Sequence, residues 1–447
     1  MRKMKYSKED IFRMVEEEDV EFIRLQFTDI FGVLKNTAIT VSQLEKALDN
    51  RCVFDGSSIA GFVGVEESDM YLHPDRDTFE IFPWRPQQGK VARLICDVHL
   101  PDGRAFEGDP RHILKKVLKQ SEEMGYLFRV GPECEFFLFQ MDEEGRPTLK
   151  TQEAGGYFDI APLDTGENVR RDIVLNLEEM GFCVEASHHE LAPGQHEIDL
   201  EYQDGLRTAD DIMTFRMAVK TLAKRHGYHA TFMPKPRQGI NGSGMHINMS
   251  LAGPDGKNAF ADETDPLGLS RTARQFMAGI LSHMKGMTLL TNPLVNSYKR
   301  LVPGCDAPVS ISWSEKSNRS SLIRIPSSRG DETRIELRSP DSAANPYLAL
   351  AVCLAAGLDG IRRNLKEPES LEGNVFQMDR EKLQEKKVEL LPRTMGEAIE
   401  EFQKDPFIRQ VLGDHIFCEY LEAKQDEWIR FRAAVTDWER EEYLYRF

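Results

Sequence analysis

Gly131-Pro132-Glu133-Cys134-Glu135-Phe136-Phe137-Leu138-Phe139 reads as a β-strand, because aromatic and aliphatic residues dominate it and a Gly-Pro pair punctuates its start. Side chains at i and i+2 share a strand face, so Glu133 and Glu135 point the same way, about 6 to 7 Å apart, while Cys134 and Phe136 point the other. Two carboxylates crowded on one face of an otherwise apolar strand repel each other and lose hydration. Something positive normally compensates them. Taken alone, the stretch fits an exposed face with salt bridges equally well, so the rest of the chain has to decide.

The chain has 447 residues, more than one core usually organises, which predicts two domains. Its formal charge of -17 argues against a nucleic-acid or anionic-membrane surface, although a local arginine cluster can still bind anions. The seven cysteines are scattered and show no CxxC pairing, which predicts a reducing cytoplasm. The longest apolar run, from Tyr347 to Leu358, is too short and too rich in alanine to span a membrane. No apolar segment directly follows Arg2, Lys3 and Lys5, so no signal peptide is expected.

Working outward, the pattern predicts a helix over Lys8–Glu17, a strand over Val20–Phe27, a turn at Asp29-Ile30-Phe31-Gly32 and a returning strand to Ile39. Ser42 and Glu45 have capping-box spacing for a short helix to Leu48. Strands near Thr78–Pro83 and Val91–Val98 complete a small unit, mostly sheet, and turn-forming residues between Pro101 and Pro110 mark its end; residues 1–104 and 105–447 are the expected domains. Asp109 and Pro110 then open a helix that Gly125 stops. Helices at 169–180 and from Thr208, the latter with Asp211 in capping-box position, alternate with short strands at 183–188, 196–200, 230–233, 245–250, 322–325 and 334–337. Asn345-Pro346 starts an alanine-rich helix, and the tail from Thr394 is mainly helical. Polar residues confined to one strand face predict an α+β fold, with a sheet backed by helices whose other face lines a cavity.

Four strands bring acidic or imidazole groups toward that cavity: Glu133 and Glu135, Glu190 and Glu197, His246 with Asn248, and Glu336 between Arg334 and Arg338. Carboxylates plus one imidazole suit hard divalent ions, Mg²⁺ or Mn²⁺, rather than zinc held by thiolates. Arg300, Arg319, Arg324, Arg334 and Arg338 supply planar donors matched to carboxylate and phosphate oxygens. An acidic metal cradle beside an arginine array is the arrangement phosphoryl transfer needs, whereas any one of these arginines alone fits surface salt bridging. Other signals are weaker. Gly242-Ser243-Gly244 lacks the Lys-Ser/Thr of a P-loop and the third glycine of a dinucleotide fingerprint, and serves either a close substrate approach or a simple turn. His188, His189 and His196 read as structural, and Asp55 on local grounds reads as an Asx-turn residue.

Together these strings resemble one family, type I glutamine synthetase in its bacterial form without adenylylation. The resemblance is carried by Phe54-Asp55-Gly56-Ser57-Ser58, the opening strand, His188-His189-Glu190, Gly194-Gln195-His196-Glu197, Lys235-Pro236 and Asn241-Gly242-Ser243-Gly244-Met245-His246. It continues through Asn296-Ser297-Tyr298-Lys299-Arg300, Asn318-Arg319-Ser320, Arg324-Ile325-Pro326 and Ala343-Ala344-Asn345-Pro346, in order and over essentially the whole chain. It implies a β-grasp-like amino-terminal domain, a catalytic domain with a curved antiparallel sheet, and a homododecamer of two hexameric rings with active sites between subunits. By that pattern Glu135, Glu190 and Glu197 hold one metal ion, and Glu133, His246 and Glu336 the other. Asn241, Gly242 and Arg300 contact L-glutamate; Arg319 and Arg338 serve substrate and catalysis; Ser58, Lys235, Asn248, Arg324 and Arg334 serve ATP. Asp55 binds ammonium in the adjacent subunit's site, against the local reading.

The chain departs from the family at the flap. Cys305-Asp306 stands where most members carry tyrosine and glutamate, so the expected base, Asp306, reaches roughly 1.5 Å less far. Gly64 replaces a feedback-sensing arginine of close relatives, and residues 362–417 contain no tyrosine for adenylylation. Nitrogen-regulatory transcription factors bind the carboxy-terminal region in relatives, which extends the expected partners. Two other readings remain: a glutamate ligase for a larger amine, and an idle ring that binds regulators.

Overall fold

The computed structural model describes residues 6–303, 307–378 and 380–447. Helix α1 (Lys8–Glu17) starts at a capping box in which Ser7 and Asp10 bond each other's backbone amides. Strands β1 (Val20–Thr28) and β2 (Leu34–Thr40) form the expected hairpin. After α2 (Leu44–Leu48), β3 (Cys52–Asp55), β4 (Asp69–Ile81) and β5 (Lys90–His99) complete a sheet in the order β2-β1-β5-β4-β3, with β1 and β5 parallel. The expected Ser42–Glu45 box does not form. Ser42 lies in a 3₁₀ turn ahead of α2 and its Oγ meets Thr40 Oγ1 at 2.9 Å, so a local hydroxyl pair takes the cap's place.

Helix α3 (Pro110–Glu123) opens on Asp109, as its sequence predicts, and leads into β6 (Leu127–Gln140). There follow α4 (Glu167–Glu179), β7 (Val184–His189), β8 (Gln195–Leu200), β9 (Gln203–Asp204), α5 (Gly205–Arg225), β10 (Tyr228–Thr231), β11 (Met245–Ala252) and α6 (Arg271–Thr291). The chain finishes with β12 (Ile323–Arg324), β13 (Ile335–Leu337), α7 (Pro346–Arg362), α8 (Arg380–Glu385), α9 (Met395–Lys404), α10 (Pro406–Ala433) and α11 (Asp437–Tyr443). The second sheet runs β12-β13-β11-β6-β8-β7, with β9 and β10 also pairing β6, and every pairing in it is antiparallel. The fold is α+β.

Helices α5 and α6 differ most from what the periodicity predicts. Helix α5 begins three residues before Thr208, because Asp204 accepts from the Leu206 amide and Gly205 fits against the Phe128 ring, while Thr208 is spent on the Val130 carbonyl. Helix α6 had no distinct signal: it is buried nearly all round, so polar and apolar faces do not alternate along it. It crosses α7 where both backbones are bare. A Cβ on Gly279 would collide with the Ala356 carbonyl, and one on Gly360 with the Gln275 carbonyl. Among the described residues, no helix is long and apolar enough to cross a membrane.

A buried guanidinium ties the first sheet to the helices beside the second. Arg111 on α3, 3% exposed, meets Asp75 on β4 at 2.8 Å, Asp97 on β5 at 2.7 Å and Asp210 on α5 at 2.9 Å. Asp210 also accepts from the Tyr347 hydroxyl of α7 at 2.7 Å. Burial works against the Asp97 charge, but Arg111 and Lys115 overcome it and hold that carboxyl down at about 2. Asn345 adds a second tie, donating to the Asp29 and Ile30 carbonyls at 3.1 and 3.2 Å. Removing Arg111 leaves three aspartates with Lys115 as their remaining cation, and Asp210 without the ion pair it makes there. Arg111→Met is therefore expected to destabilise the chain by about 3 to 5 kcal/mol, read as a lower guanidinium midpoint than wild type.

Candidate active site

The inner face of β6 carries Glu133 and Glu135, and the registers decide what each one meets. Glu133 lies opposite His246 of β11 on one side and Asp199 of β8 on the other, while Glu135 lies opposite Glu197. His246 Nδ1 is 2.9 Å from Glu133 Oε2 and 3.8 Å from Glu336 Oε1. Asn248 Nδ2 donates to Glu133 at 2.8 Å, and Arg334 Nε in turn donates to Asn248 at 3.2 Å. Glu336, wholly buried, is ion-paired to Arg324 at 2.5 Å and to Arg338.

Glu135 accepts from the Gly244 amide at 2.9 Å and from Gln195 Nε2 at 2.8 Å. The room that Gly242 and Gly244 leave is used by the protein itself: a Cβ on Gly244 would come within 2.5 Å of the Arg300 guanidinium. Arg300 is anchored by the Ser339 carbonyl at 2.7 Å and the Arg338 carbonyl at 3.3 Å. Glu135, Glu190, Asn241, Gly242, His246, Arg300, Arg319 and Arg338 line one cavity of about 120 Å³. A broader cavity of about 510 Å³ shares Arg319 and Phe376 with it.

Three overlapping groups can each surround a cation: Glu133, His246 and Glu336; Glu135, Glu197 and His246; and His188, Glu190 and Glu197, with ligand atoms within 4.8 Å of one another. Oxygen-rich sets with one imidazole fit hard divalent ions. Their electrostatics say the same. Burial, then the charges of Glu135, Asp199 and Glu133, push the Glu197 carboxyl well above the usual range, and burial together with Glu133 pushes Asp199 up to about 7. Burial also raises Glu135, against His246 and with Glu190. Glu133 behaves oppositely: burial opposes its charge, but His246 and Asn248 hydrogen bonds hold it down at about 2. A fourth group, Asp164, His189 and His196, is already served by a cation, since Arg170 pairs with Asp164 at 2.8 Å and reaches His196 Nδ1 at 3.0 Å.

The remaining expected residues fall elsewhere. Lys235 donates from Nζ to the Ile240 carbonyl and does not line the cavity. Asp55 is exposed at the end of β3, where it accepts from the Ser57 amide at 2.9 Å and the Ser57 hydroxyl at 2.6 Å; neither it nor the exposed Ser58 lines the cavity of its own chain. Asp306 and Cys305 lie outside the described residues. Conversely, the structure adds groups that sequence reasoning passed over. His188, read as structural, sits 3.2 Å from both Glu190 and Glu197. Gln195 and Asp199 share the inner face of β8 with Glu197, which period-two alternation from Glu197 would have found. Tyr157 packs edge-on against His188 and stands close enough to Arg319 to favour its charge, and its loop carries no comparable signal.

Two family models match this architecture in order: "Glutamine synthetase, beta-Grasp domain" over residues 19–101 and "Glutamine synthetase, catalytic domain" over residues 107–443. This chain belongs to the glutamine synthetase family. It is 60% identical over 443 residues to a glutamine synthetase of Clostridium saccharobutylicum, covering 99% of this chain and all of the relative. It is 57% identical over 449 residues to a glutamine synthetase of Staphylococcus aureus, covering the whole of both. Among solved structures it is similar to a GmaS/ADP complex, with a TM-score of 0.88 at 33% identity over 97% of this chain and 98% of that one, and to GmaS without ligand, with a TM-score of 0.86 at 33% identity over 96% and 98%. The chain is thus an ATP-dependent ligase with a divalent-metal requirement, and its clustered carboxylates fit that requirement.

A cation and a proton compete for the raised carboxyls of Glu135 and Glu197, so ion binding must expel protons. Divalent-ion affinity is expected to fall as pH drops from 7 to 5. Calorimetry in two buffers of different ionisation enthalpy should show protons released on binding.

Proposed function

We propose that the chain joins ammonia to the γ-carboxylate of L-glutamate at the expense of ATP, through a γ-glutamyl phosphate, giving L-glutamine, ADP and phosphate. The observation that carries this reading is the cavity where Glu135, Glu190 and His246, one from each of the three ion-holding groups, meet Arg300, Arg319 and Arg338. The family and the relatives support it, and the ADP complex of GmaS supports a nucleotide in the same fold.

Glu135, Glu190 and Glu197 would hold one ion, and Glu133, His246 and Glu336 the other, Mg²⁺ or Mn²⁺ in each case. When bound, such ions neutralise the polyphosphate and the transferring group. The chain's own residues do the rest. Arg300, with Asn241 and Gly242, orients glutamate. Arg319 and Arg338 place positive charge where the carboxylate and phosphoryl oxygens gather it, and Arg324, Arg334, Asn248, Lys235 and Ser58 serve the nucleotide. Ammonium must lose a proton before it can attack, and the acidic groups proposed for that are Asp306 and Asp55 of the partner subunit. Exclusion of water then keeps the acyl phosphate from hydrolysing.

The proposal includes a small domain of residues 1–104, a catalytic domain of residues 105–447, a cytoplasmic dodecamer of two hexameric rings, and nitrogen-regulatory transcription factors as partners. The decisive assay incubates the purified chain with glutamate, ATP and Mg²⁺ or Mn²⁺ against a panel of amines. Ammonium is expected to give the highest ADP release, with glutamine as product; a larger amine outrunning ammonium would replace this reading. Asp306→Ala is expected to lower glutamine formation roughly 100-fold or more, as loss of a general base does. Unchanged turnover across ammonium concentrations would remove Asp306 from the mechanism.

A further inference from the structure

Besides the groups that line the cavity, the chain holds a buried carboxylate that does not line it. Glu153, in the segment between β6 and α4, has a side chain only 5% exposed. It accepts from three donors: the Gly155 amide, the Gly194 amide and, at 3.2 Å, His189 Nε2. His189 is wholly buried, and its other ring nitrogen donates to the Glu190 carbonyl oxygen at 2.6 Å. One side chain therefore grips both ends of the β7–β8 turn: Glu190 through His189, and Gly194, next to Gln195, directly.

The turn is also seated against β6, where the Leu138 amide donates to the Gly194 carbonyl at 2.8 Å. Gly194 has φ +72, and a Cβ there would strike Thr151 and the Leu138 carbonyl, so the turn is pressed against β6 and the start of the Glu153 segment. The segment that Glu153 anchors then runs to Tyr157, which touches both His188 and Arg319. Glu153 thus stands where the metal-ligand hairpin and the Tyr157 loop are tied together.

We propose that Glu153 is a positioning residue for the reaction: through His189 and the Gly194 amide it fixes Glu190, and with it the ion site formed with Glu135 and Glu197, in register with the Tyr157–Arg319 pair. This rests on the metal-binding reading above. Partners of this kind, one bond removed from a metal ligand, set the ligand's orientation, and their loss costs roughly 10- to 100-fold in metal affinity.

The test is Mn²⁺ binding to the full chain by calorimetry. Glu190→Ala identifies which binding event belongs to the Glu135–Glu190–Glu197 site. Glu153→Ala is expected to weaken that same event roughly 10- to 100-fold, while the event at Glu133, His246 and Glu336 and the melting temperature stay close to wild type. Glu153→Gln keeps the shape and one acceptor oxygen, so a smaller loss at the same event is expected. Both events unchanged in Glu153→Ala, or both weakened together with a lower melting temperature, overturns the assignment. Should Glu153→Ala not fold, an unchanged first event in Glu153→Gln overturns it equally. Wild-type protein that binds no Mn²⁺ instead defeats the metal reading itself, which separates the two failures.

Discussion

The constraint behind the catalytic domain is electrostatic: carboxylates are packed on one face of an apolar sheet with fewer cations than they need. Glu133, Glu135, Glu190, Glu197 and Glu336 all approach that face, and Asp199 joins them from β8. Water cannot relieve them, because most are buried. The protein supplies a partial answer from within. Arg324 and Arg338 neutralise Glu336, and His246 with Asn248 stabilises Glu133. What is left over, on Glu135, Glu197 and Asp199, appears as carboxyls pushed toward their neutral form. A face so arranged is costly for the fold and apt for divalent ions, and that tension is what a phosphoryl-transfer site requires.

Rigidity around this face follows from how the elements are joined. Antiparallel pairing of β6 with β8 and β11 places ligands from distant parts of the chain at one height, so the registers do the work that long loops could not. On the far side, α6 and α7 approach through bare glycine backbones, which brings a dense apolar layer close under the sheet. Arg111 ties the small sheet to this layer, holding β3 and Asp55 at a defined place relative to the catalytic sheet. Asp55 stays exposed there and does not line its own chain's cavity.

Much of the site was legible in residue order. Period-two alternation put Glu133 and Glu135 on one face, and the same rule placed His246 with Asn248 and Glu336 between two arginines. The same alternation extends to Gln195 and Asp199, which flank Glu197 on its own face. Where signals were local and competing, the outcome turned on neighbours. Ser42 found a closer hydroxyl than the helix it was expected to cap, and Thr208 found a buried carbonyl. Adjacent His188 and His189 do face opposite ways, but His188, two residues before Glu190, is the one that points at Glu190 and Glu197 rather than serving structure alone.

Residue identities alone set the kind of chemistry, since carboxylate, imidazole and guanidinium groups have fixed donor patterns wherever they end up. They also determined the small-sheet hairpin and the capped start of α3, which depend on residues a few positions apart. Folding was needed to fix which carboxyls are raised and which lowered, that Gly244 makes room for Arg300, and that Glu153 and Tyr157 come close to the site. The reason is distance along the chain. Burial and like-charge crowding come from residues tens to hundreds of positions away, and no local pattern records which of them will meet.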